Sequence, residues 1–324
     1  MISRVAETCF WLGRQVERSE NLARLLSVNQ SFVLDVELDP PQRWQPVMVV
    51  SGELPRFKER FPEEAILDGE VVQRYLTWDQ DNPVSLVSAA YWARENARTI
   101  REVISLELWE ALNEFWRWLM DGPGKRLYRS DREAFYSRFK EMAALTHGVA
   151  SATMLHEEPL TFMQLGWHLE RAQQTARIVD IKYHTLGPTS SRETPLEAAQ
   201  WLALLRSCSA TEPYYKCHKN PPNGLAIVDF LLRYPTFPRS ILYSLKASQV
   251  DLQRIRAATT ERGEECEVRV QRLLDYLEAG KSADLSGGGV HAALTRVVDE
   301  TSEICNLLHS IYFDPSMPEA PAAE

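Results

Sequence analysis

Residues 12–24 read LGRQVERSENLAR, and the pattern returns at residues 165–177 as LGWHLERAQQTAR. Leucine, glycine, a Glu-Arg pair, alanine and a final arginine recur at identical spacing. Helix composition alone does not produce such a match, so we interpret the chain as an internal duplication. In both copies the apolar residues recur at three- and four-residue steps, which predicts a helix.

One stripe of this predicted helix carries charged side chains. On an α-helix Glu17 and Arg24 lie at nearly the same azimuth, and Phe10 and Val28 continue that stripe on either side. A solvated face is rarely bounded by apolar residues in this way. We therefore predict that the helix is buried on most sides and that its glutamate and arginine have partners there.

Glycines lie beside the charged stripe in both copies, at Gly13 and Gly166. A glycine inside a helix costs about 1 kcal/mol relative to alanine. The close approach of another backbone is a common reason for keeping one. The two motif helices are therefore predicted to lie against each other.

The arginine at the end of each motif has no constant local partner. Arg24 follows Glu20 by one turn, whereas Arg177 follows Gln173. A helical ion pair is thus available in one copy only. Local pairing does not explain why both copies keep the arginine.

Two roles stay open for the charged residues of the motif. In a structural clasp around a pseudo-twofold axis, Glu17 would meet Arg177 and Glu170 would meet Arg24. In a ligand-binding site, the same arginines would hold an anion. Glu17 and Glu170 would then be the candidate catalytic acid or base.

Further short segments accompany the motif: ISRVAE at 2–7, FWL at 10–12, ARENAR at 93–98, LERA at 169–172, DIKYH at 180–184 and PRS at 238–240. With these segments nearly the whole chain resembles the alpha-E family, bacterial helical proteins named for a glutamate-arginine motif. Members are typically encoded beside, or fused to, a circularly permuted ATP-grasp protein and a transglutaminase-like cysteine peptidase. The resemblance implies these two partners and a system that makes or modifies peptide amide bonds. It implies no reaction for the helical member.

The periodicity predicts an all-α protein, an internally duplicated helical bundle. Its two pseudo-symmetric repeats, residues 1–155 and 156–313, are expected to share one core, and residues 314–324 to form a disordered tail.

Each repeat is predicted to contain a short helix, a proline-bearing loop and a long helix. The first long helix is expected from Ser85 to Met120, and a final helix from Asp131 to Met154. Thr194 begins a capping box, TPLE, which places a helix start at Pro195.

Composition narrows the functional classes. With 44% hydrophobic and 25% charged residues, the 324-residue chain reads as globular. A net charge of −9 argues against nonspecific binding of nucleic acid. Only 14 glycines occur, without a phosphate-cradling loop, so we predict neither a nucleotide site nor another cofactor.

Localisation follows from what the sequence does not contain. It has neither a long apolar run nor a signal-peptide pattern, and its five cysteines are scattered. We expect a cytoplasmic protein that binds no membrane. The adjacent Cys217 and His218 have no second pair of ligands at zinc spacing, so no metal site is predicted.

Arginines that occur in one half only are the remaining candidates for ligand binding. Arg94, Arg98 and Arg101 share one helical face in the first half, where acidic side chains or a bound phosphate or carboxylate would neutralise them. Arg239 occurs in the second half, at a predicted helix start, and Val84 holds the matching place.

We predict one polar pocket for an anion, an acidic peptide or a carboxylate or phosphate compound. Its predicted binding residues are Arg24, Arg94, Arg98, Arg177, Arg239 and His184, beside Glu17 and Glu170.

Three functions remain open at this point. The chain could be a non-catalytic accessory subunit of an ATP-grasp-linked system. It could instead be an enzyme of that system, with a buried glutamate as acid or base, or a purely structural scaffold. The family resemblance favours the first.

Overall fold

The computed structural model describes residues 3–186, 194–219, 222–259, 263–280 and 289–314, with the backbone alone for 184–186 and 257–259. Every regular element in these ranges is helical, which confirms the predicted all-α class. None of the helices there combines the length and apolar character needed to cross a membrane. The predicted boundary at residue 155 and the duplication stay predictions. Residues 315–324 of the predicted tail lie outside the described ranges.

The helices follow one another in short connections: α1 (Ser3–Asp35), α2 (Pro40–Ser51), α3 (Leu54–Arg60), α4 (Gly69–Trp78), α5 (Leu86–Thr99), α6 (Leu106–Met120), α7 (Pro123–Ser130), α8 (Arg132–Thr153), α9 (Glu158–Leu186), α10 (Pro195–Ser207), α11 (Thr211–Cys217), α12 (Gly224–Arg233), α13 (Ile241–Thr259), α14 (Glu264–Ala279) and α15 (Gly289–Leu308). A 3₁₀ turn covers Glu63–Leu67, and a π-helical turn covers His309–Phe313.

The two motif helices, α1 and α9, lie side by side at the centre of the fold. A Cβ atom added at Gly13 would overlap the backbone carbonyl of Met163, and one added at Gly166 would overlap that of Phe10. The predicted close approach of the two backbones is therefore confirmed. Only glycine fits at these two positions.

Side-chain caps decide where several helices begin. The predicted capping box at Thr194 is present, since its hydroxyl accepts from the backbone N–H of Glu197 and the Glu197 carboxylate accepts from Thr194. At the start of α2, Asp39 occupies the cap position but accepts no hydrogen bond from the helix. Instead, α2 begins with a proline, whose fixed backbone angle suits the first helical position.

The prediction of one long helix from Ser85 to Met120 is wrong, because the chain turns between α5 and α6. The turn buries Ile100, and the Ser105 hydroxyl accepts from the backbone N–H of Leu108 at 3.2 Å to start α6. The break lets α6 pack against both α5 and α8. Apolar spacing continues across the turn, so periodicity alone did not reveal it.

Most of the buried apolar side chains form one continuous cluster that extends from Ala6 to Phe313, and Phe32, Leu38 and Ala203 form a small separate one. The central helices α1 and α9 contribute to the large cluster along most of their length. Charged groups placed between these two helices are therefore removed from water.

Candidate functional site

The two motif glutamates are fully buried, as the sequence predicts, and each pairs with the opposite helix. Glu17 accepts from Arg171 Nε at 2.9 Å and Nη2 at 2.6 Å. Glu170 accepts from Arg18 Nε at 2.8 Å and Nη2 at 2.9 Å. Both contacts are two-pronged guanidinium–carboxylate pairs, the strongest kind. We call these four residues the Glu-Arg clasp.

The clasp differs from the predicted pairing of Glu17 with Arg177 and of Glu170 with Arg24. The reason is distance along the helix. The backbones touch at Gly13 and Gly166, so residues about one turn away face the partner helix. The more distant arginines lie 11 residues past the glycines, about 16 Å along the axis.

Around Glu17 the charges are neutralised by protein side chains. Arg239 donates to Glu17 at 3.2 Å, to Asn21 at 2.9 Å and to Glu20 at 2.5 Å. Arg24 pairs with Glu20 one turn earlier. We call Glu17, Glu20, Asn21, Arg24 and Arg239 the closed end of the site.

The clasp glutamates are held in their ionised form. Burial alone would raise the pKa of Glu17, but Arg171 and Arg239 hold it well below its ordinary value. Burial likewise opposes ionisation of Glu170, and Arg18 and Arg14 lower the pKa of this carboxyl below its usual range.

A histidine that the sequence did not single out lies beside the closed end. His147 Nε2 is 3.4 Å from Glu17 Oε2, and the imidazole packs edge-on against the Trp167 ring. Burial lowers the pKa of His147 to about 4. The ring is therefore neutral at physiological pH.

The Glu170 end has a different arrangement. Arg14 donates from Nε to Glu170 at 2.8 Å and from Nη2 to Gln173 at 3.3 Å. A cavity of about 290 Å³ opens beside these groups and is lined by the side chains of Arg14, Arg18 and Arg177. We call it the Arg177 pocket.

Arg177 has no hydrogen bond or ion pair with any described residue, unlike Arg24 at the closed end. Burial lowers the pKa of Arg177, and Arg18 and Arg14 lower it further despite the attraction of Glu170. Three guanidinium groups thus line the pocket, and the nearby Glu170 carboxylate, which is fully buried and not part of the lining, already pairs with Arg14 and Arg18.

Two residue differences distinguish the ends. Where the first motif has Glu20, the second has Gln173, which lacks a negative charge. Where the second half has Arg239, the first has Val84, which lines the Arg177 pocket. Among the described residues, Arg177 therefore lacks the carboxylate that Arg24 has one turn earlier.

The structure does not bring Arg94 and Arg98 to the motif. Arg94 donates to Asn113 at 2.9 Å and pairs with Glu95, which also pairs with Arg98. Arg101 lies over the Trp109 ring at 4.9 Å. An acidic side chain, that of Glu95, thus pairs with both Arg94 and Arg98, which is one of the two alternatives left open.

The binding residues predicted from the sequence therefore lie in several separate parts of the structure. Arg24 and Arg239 join Glu17 at the closed end, Arg177 lies in its own pocket beside Glu170, and the side chain of His184 lies outside the described residues.

Sequence reasoning overlooked three arginines of the site, Arg14, Arg18 and Arg171. Arg18 is repeated as Arg171, and this recurrence was a visible signal. Arg14 aligns with Trp167, so no repeated pattern indicated it.

Comparison with known proteins supplies a family. The model of the Alpha-E family, described as a predicted alpha-helical domain with a conserved ER motif, matches residues 1–313. The chain is 25% identical to an uncharacterized protein of Mycobacterium bovis and 24% identical to one of Mycobacterium tuberculosis, over 91% of this chain and 36% of each relative. The chain thus spans about a third of the length of these relatives. No solved structure matches it.

Proposed function

The chain belongs to the Alpha-E family, and on that premise we propose that it is a non-catalytic binding subunit whose ligand is an anion in the Arg177 pocket. The observation that carries the proposal is the set of three arginines around one cavity, with Arg177 unpaired among the described residues. A guanidinium has five N–H donors, and desolvated ones are costly to leave without an acceptor. A ligand carboxylate or phosphate would supply it.

The internal duplication is part of this proposal. It is supported by the reciprocal glycine contacts, by the reciprocal clasp and by matching amides, since Asn21 donates to Glu17 and Gln174 to Glu170. On this view the closed end is a template for the Arg177 pocket. The ligand anion takes the place that the Glu20 carboxylate occupies next to Arg24.

An acid or base role for the clasp glutamates has less support. Glu17 is fully buried, and Arg171, Arg239 and Asn21 donate to it. A general acid or base must reach the substrate and change its protonation state. Arginines on both sides oppose protonation, so we assign the glutamates to holding α1 against α9.

A purely structural scaffold is also a weaker explanation. Such a scaffold would need only the clasp and the closed end, where carboxylates already neutralise the arginines. The partly buried Arg177, which has no partner among the residues that the structure describes, would lower its stability without a compensating contact. Ligand binding gives this arginine a function.

The proposed partners are a circularly permuted ATP-grasp protein and a transglutaminase-like protein, and the family resemblance alone suggests them. In that setting the chain would hold a substrate or product of amide-bond chemistry. Co-purification of the tagged chain with the products of the neighbouring genes tests this part. Recovery of neither protein would contradict it.

Calorimetric titration tests the binding function, with glutarate and inorganic phosphate as probes. The unmodified chain should bind at least one of them. Arg177→Gln should weaken binding at least tenfold and leave the melting temperature unchanged or raised. The exposed Arg117 provides a matched control, Arg117→Gln, which should bind normally.

Arg24→Gln completes this comparison at the equivalent position of the other motif. It removes one of the two arginine partners of buried Glu20, the other being Arg239, so it should lower the melting temperature, in contrast to Arg177→Gln. The binding function is wrong if Arg177→Gln binds as the unmodified chain does, or if the unmodified chain binds neither probe and no peptide with a free carboxylate.

A further inference from the structure

A second cavity, of about 370 Å³, lies next to the Arg177 pocket. The side chains of Trp11 and Arg18 line both cavities and so form a wall common to them. Trp11 is held in place by Arg14, whose guanidinium carbon is 5.1 Å from the centre of the Trp11 ring system. The two cavities are therefore neighbours that share two lining side chains.

The Arg177 pocket suits more than a bare anion. Beside the arginines, aliphatic side chains line it: Leu22, Leu25, Val50, Val84 and Ile178. Burial of apolar ligand atoms against such a wall is favourable. The pocket thus matches a carboxylate that is attached to an aliphatic group.

The second cavity has groups that suit a peptide backbone. Gln15 lines it, and the buried Gln15 Oε1 has no hydrogen-bond partner among the described residues. Such an orphan acceptor is uncommon in a folded protein and calls for a donor. The amide of Asn96 and the half-exposed indole of Trp92 line the same cavity.

Resting on the proposed anion-binding function, we infer that the ligand is the carboxyl-terminal end of a peptide. Its terminal carboxylate lies between Arg177 and Arg18, and the last side chain, an aliphatic one, packs against the apolar wall of the Arg177 pocket. The Gln15 side chain turns so that its amide oxygen, buried in the unliganded structure, accepts from the preceding peptide N–H, and the chain continues past Asn96 and over Trp92. The two cavities together thus determine a class of ligand.

Free phosphate is the alternative source of negative charge. It would use the arginines alone and would need neither the aliphatic wall nor the amide-lined second cavity. The two ligands therefore differ in how their binding depends on residues outside the arginine cluster.

The experiment is a calorimetric titration of the full chain with four probes: acetyl-Ala-Ala-Leu with a free carboxylate, the same peptide with a carboxyl-terminal amide, 4-methylvalerate, and inorganic phosphate. The free peptide should bind at least tenfold more tightly than each of the others. Amidation removes the charge that pairs with the arginines, and 4-methylvalerate lacks the backbone amides.

Trp92→Ala tests the second cavity separately from the first. It should weaken binding of the free peptide several-fold and leave the affinity for 4-methylvalerate unchanged. Tyr215→Ala, which removes a similarly exposed aromatic side chain on α11, should change neither. A thermal melt of each variant verifies that it is folded.

The outcomes separate the peptide inference from the binding function. If 4-methylvalerate or phosphate binds as tightly as the peptide, or if Trp92→Ala has no effect on the peptide, the peptide inference is wrong while anion binding stands. If none of the probes, glutarate included, binds to the unmodified chain, the binding function itself is wrong.

Discussion

Gly13→Ala tests whether α1 and α9 touch through their backbones. The new methyl group would overlap the Met163 carbonyl oxygen and would lie 3.0 Å from its carbonyl carbon and 3.2 Å from its Cα. A backbone atom cannot rotate away as a side chain can. The two helices must therefore separate for alanine to fit.

The expected magnitude combines three effects. Alanine favours a helix by about 1 kcal/mol relative to glycine. Overpacking a core costs about 1–3 kcal/mol. Separating the helices also stretches the clasp, whose four hydrogen bonds measure 2.6–2.9 Å, and breaking a buried pair of this kind costs about 3–5 kcal/mol. With a partly stretched clasp, we expect the free energy of unfolding to fall by about 2–4 kcal/mol.

Urea unfolding measures this change, and the chain contains a matched control. Gly148 lies within α8, is exposed, and would have nothing within 4 Å of an added Cβ. Gly148→Ala should be neutral or stabilise the protein by up to about 1 kcal/mol. Gly166→Ala should behave as Gly13→Ala does. If the Gly13→Ala protein is as stable as the Gly148→Ala protein, the inferred backbone contact between α1 and α9 is wrong.

Two further predictions concern the charges between the helices. Arg171→Ala removes both prongs of the pair with buried Glu17 and should lower the free energy of unfolding by about 3–5 kcal/mol, whereas the exposed Arg117→Ala should change it little; equal losses would contradict the clasp. Because burial lowers the pKa of His147 to about 4, from about 6.5 in the unfolded chain, the unfolded state takes up a proton first as the pH falls. Stability from the neutral ring should be complete above about pH 6.5 and should decline towards pH 4. His147→Gln should flatten the curve of stability against pH in this window, and an unchanged slope there would show that another group causes the loss.

Much of the central helix pair could be predicted from the sequence. The repeated glycines pointed to a close approach of backbones, and the apolar flanks of the charged stripe pointed to buried glutamates. Both signals are local and periodic, so they can be recognised without knowledge of the tertiary structure. The partners of the glutamates could not be predicted, because they depend on where along the helices the backbones meet.

The remaining misses have the same physical origin. Arg94 and Arg98 share a helical face, but spacing does not reveal that Glu95 pairs with both of them. The sequence did show that Gln173 stands at the position that matches Glu20, and Val84 at the position that matches Arg239. That these two differences leave a cavity beside an unpaired arginine depends on packing among several helices.

Gln173→Glu tests most directly whether Arg177 needs a carboxylate partner that a ligand supplies. It places a carboxylate one turn before Arg177, as Glu20 is placed before Arg24, and Arg14 Nη2, which donates to Gln173 Oε1 at 3.3 Å, can donate to it. Gln174→Glu is the control, because it adds the same charge but removes a donor to Glu170. We predict that Gln173→Glu raises the melting temperature and weakens glutarate binding at least tenfold, whereas Gln174→Glu lowers the melting temperature. If the Gln173→Glu protein melts no higher and binds glutarate as the unmodified chain does, the claim that Arg177 needs a carboxylate partner is wrong.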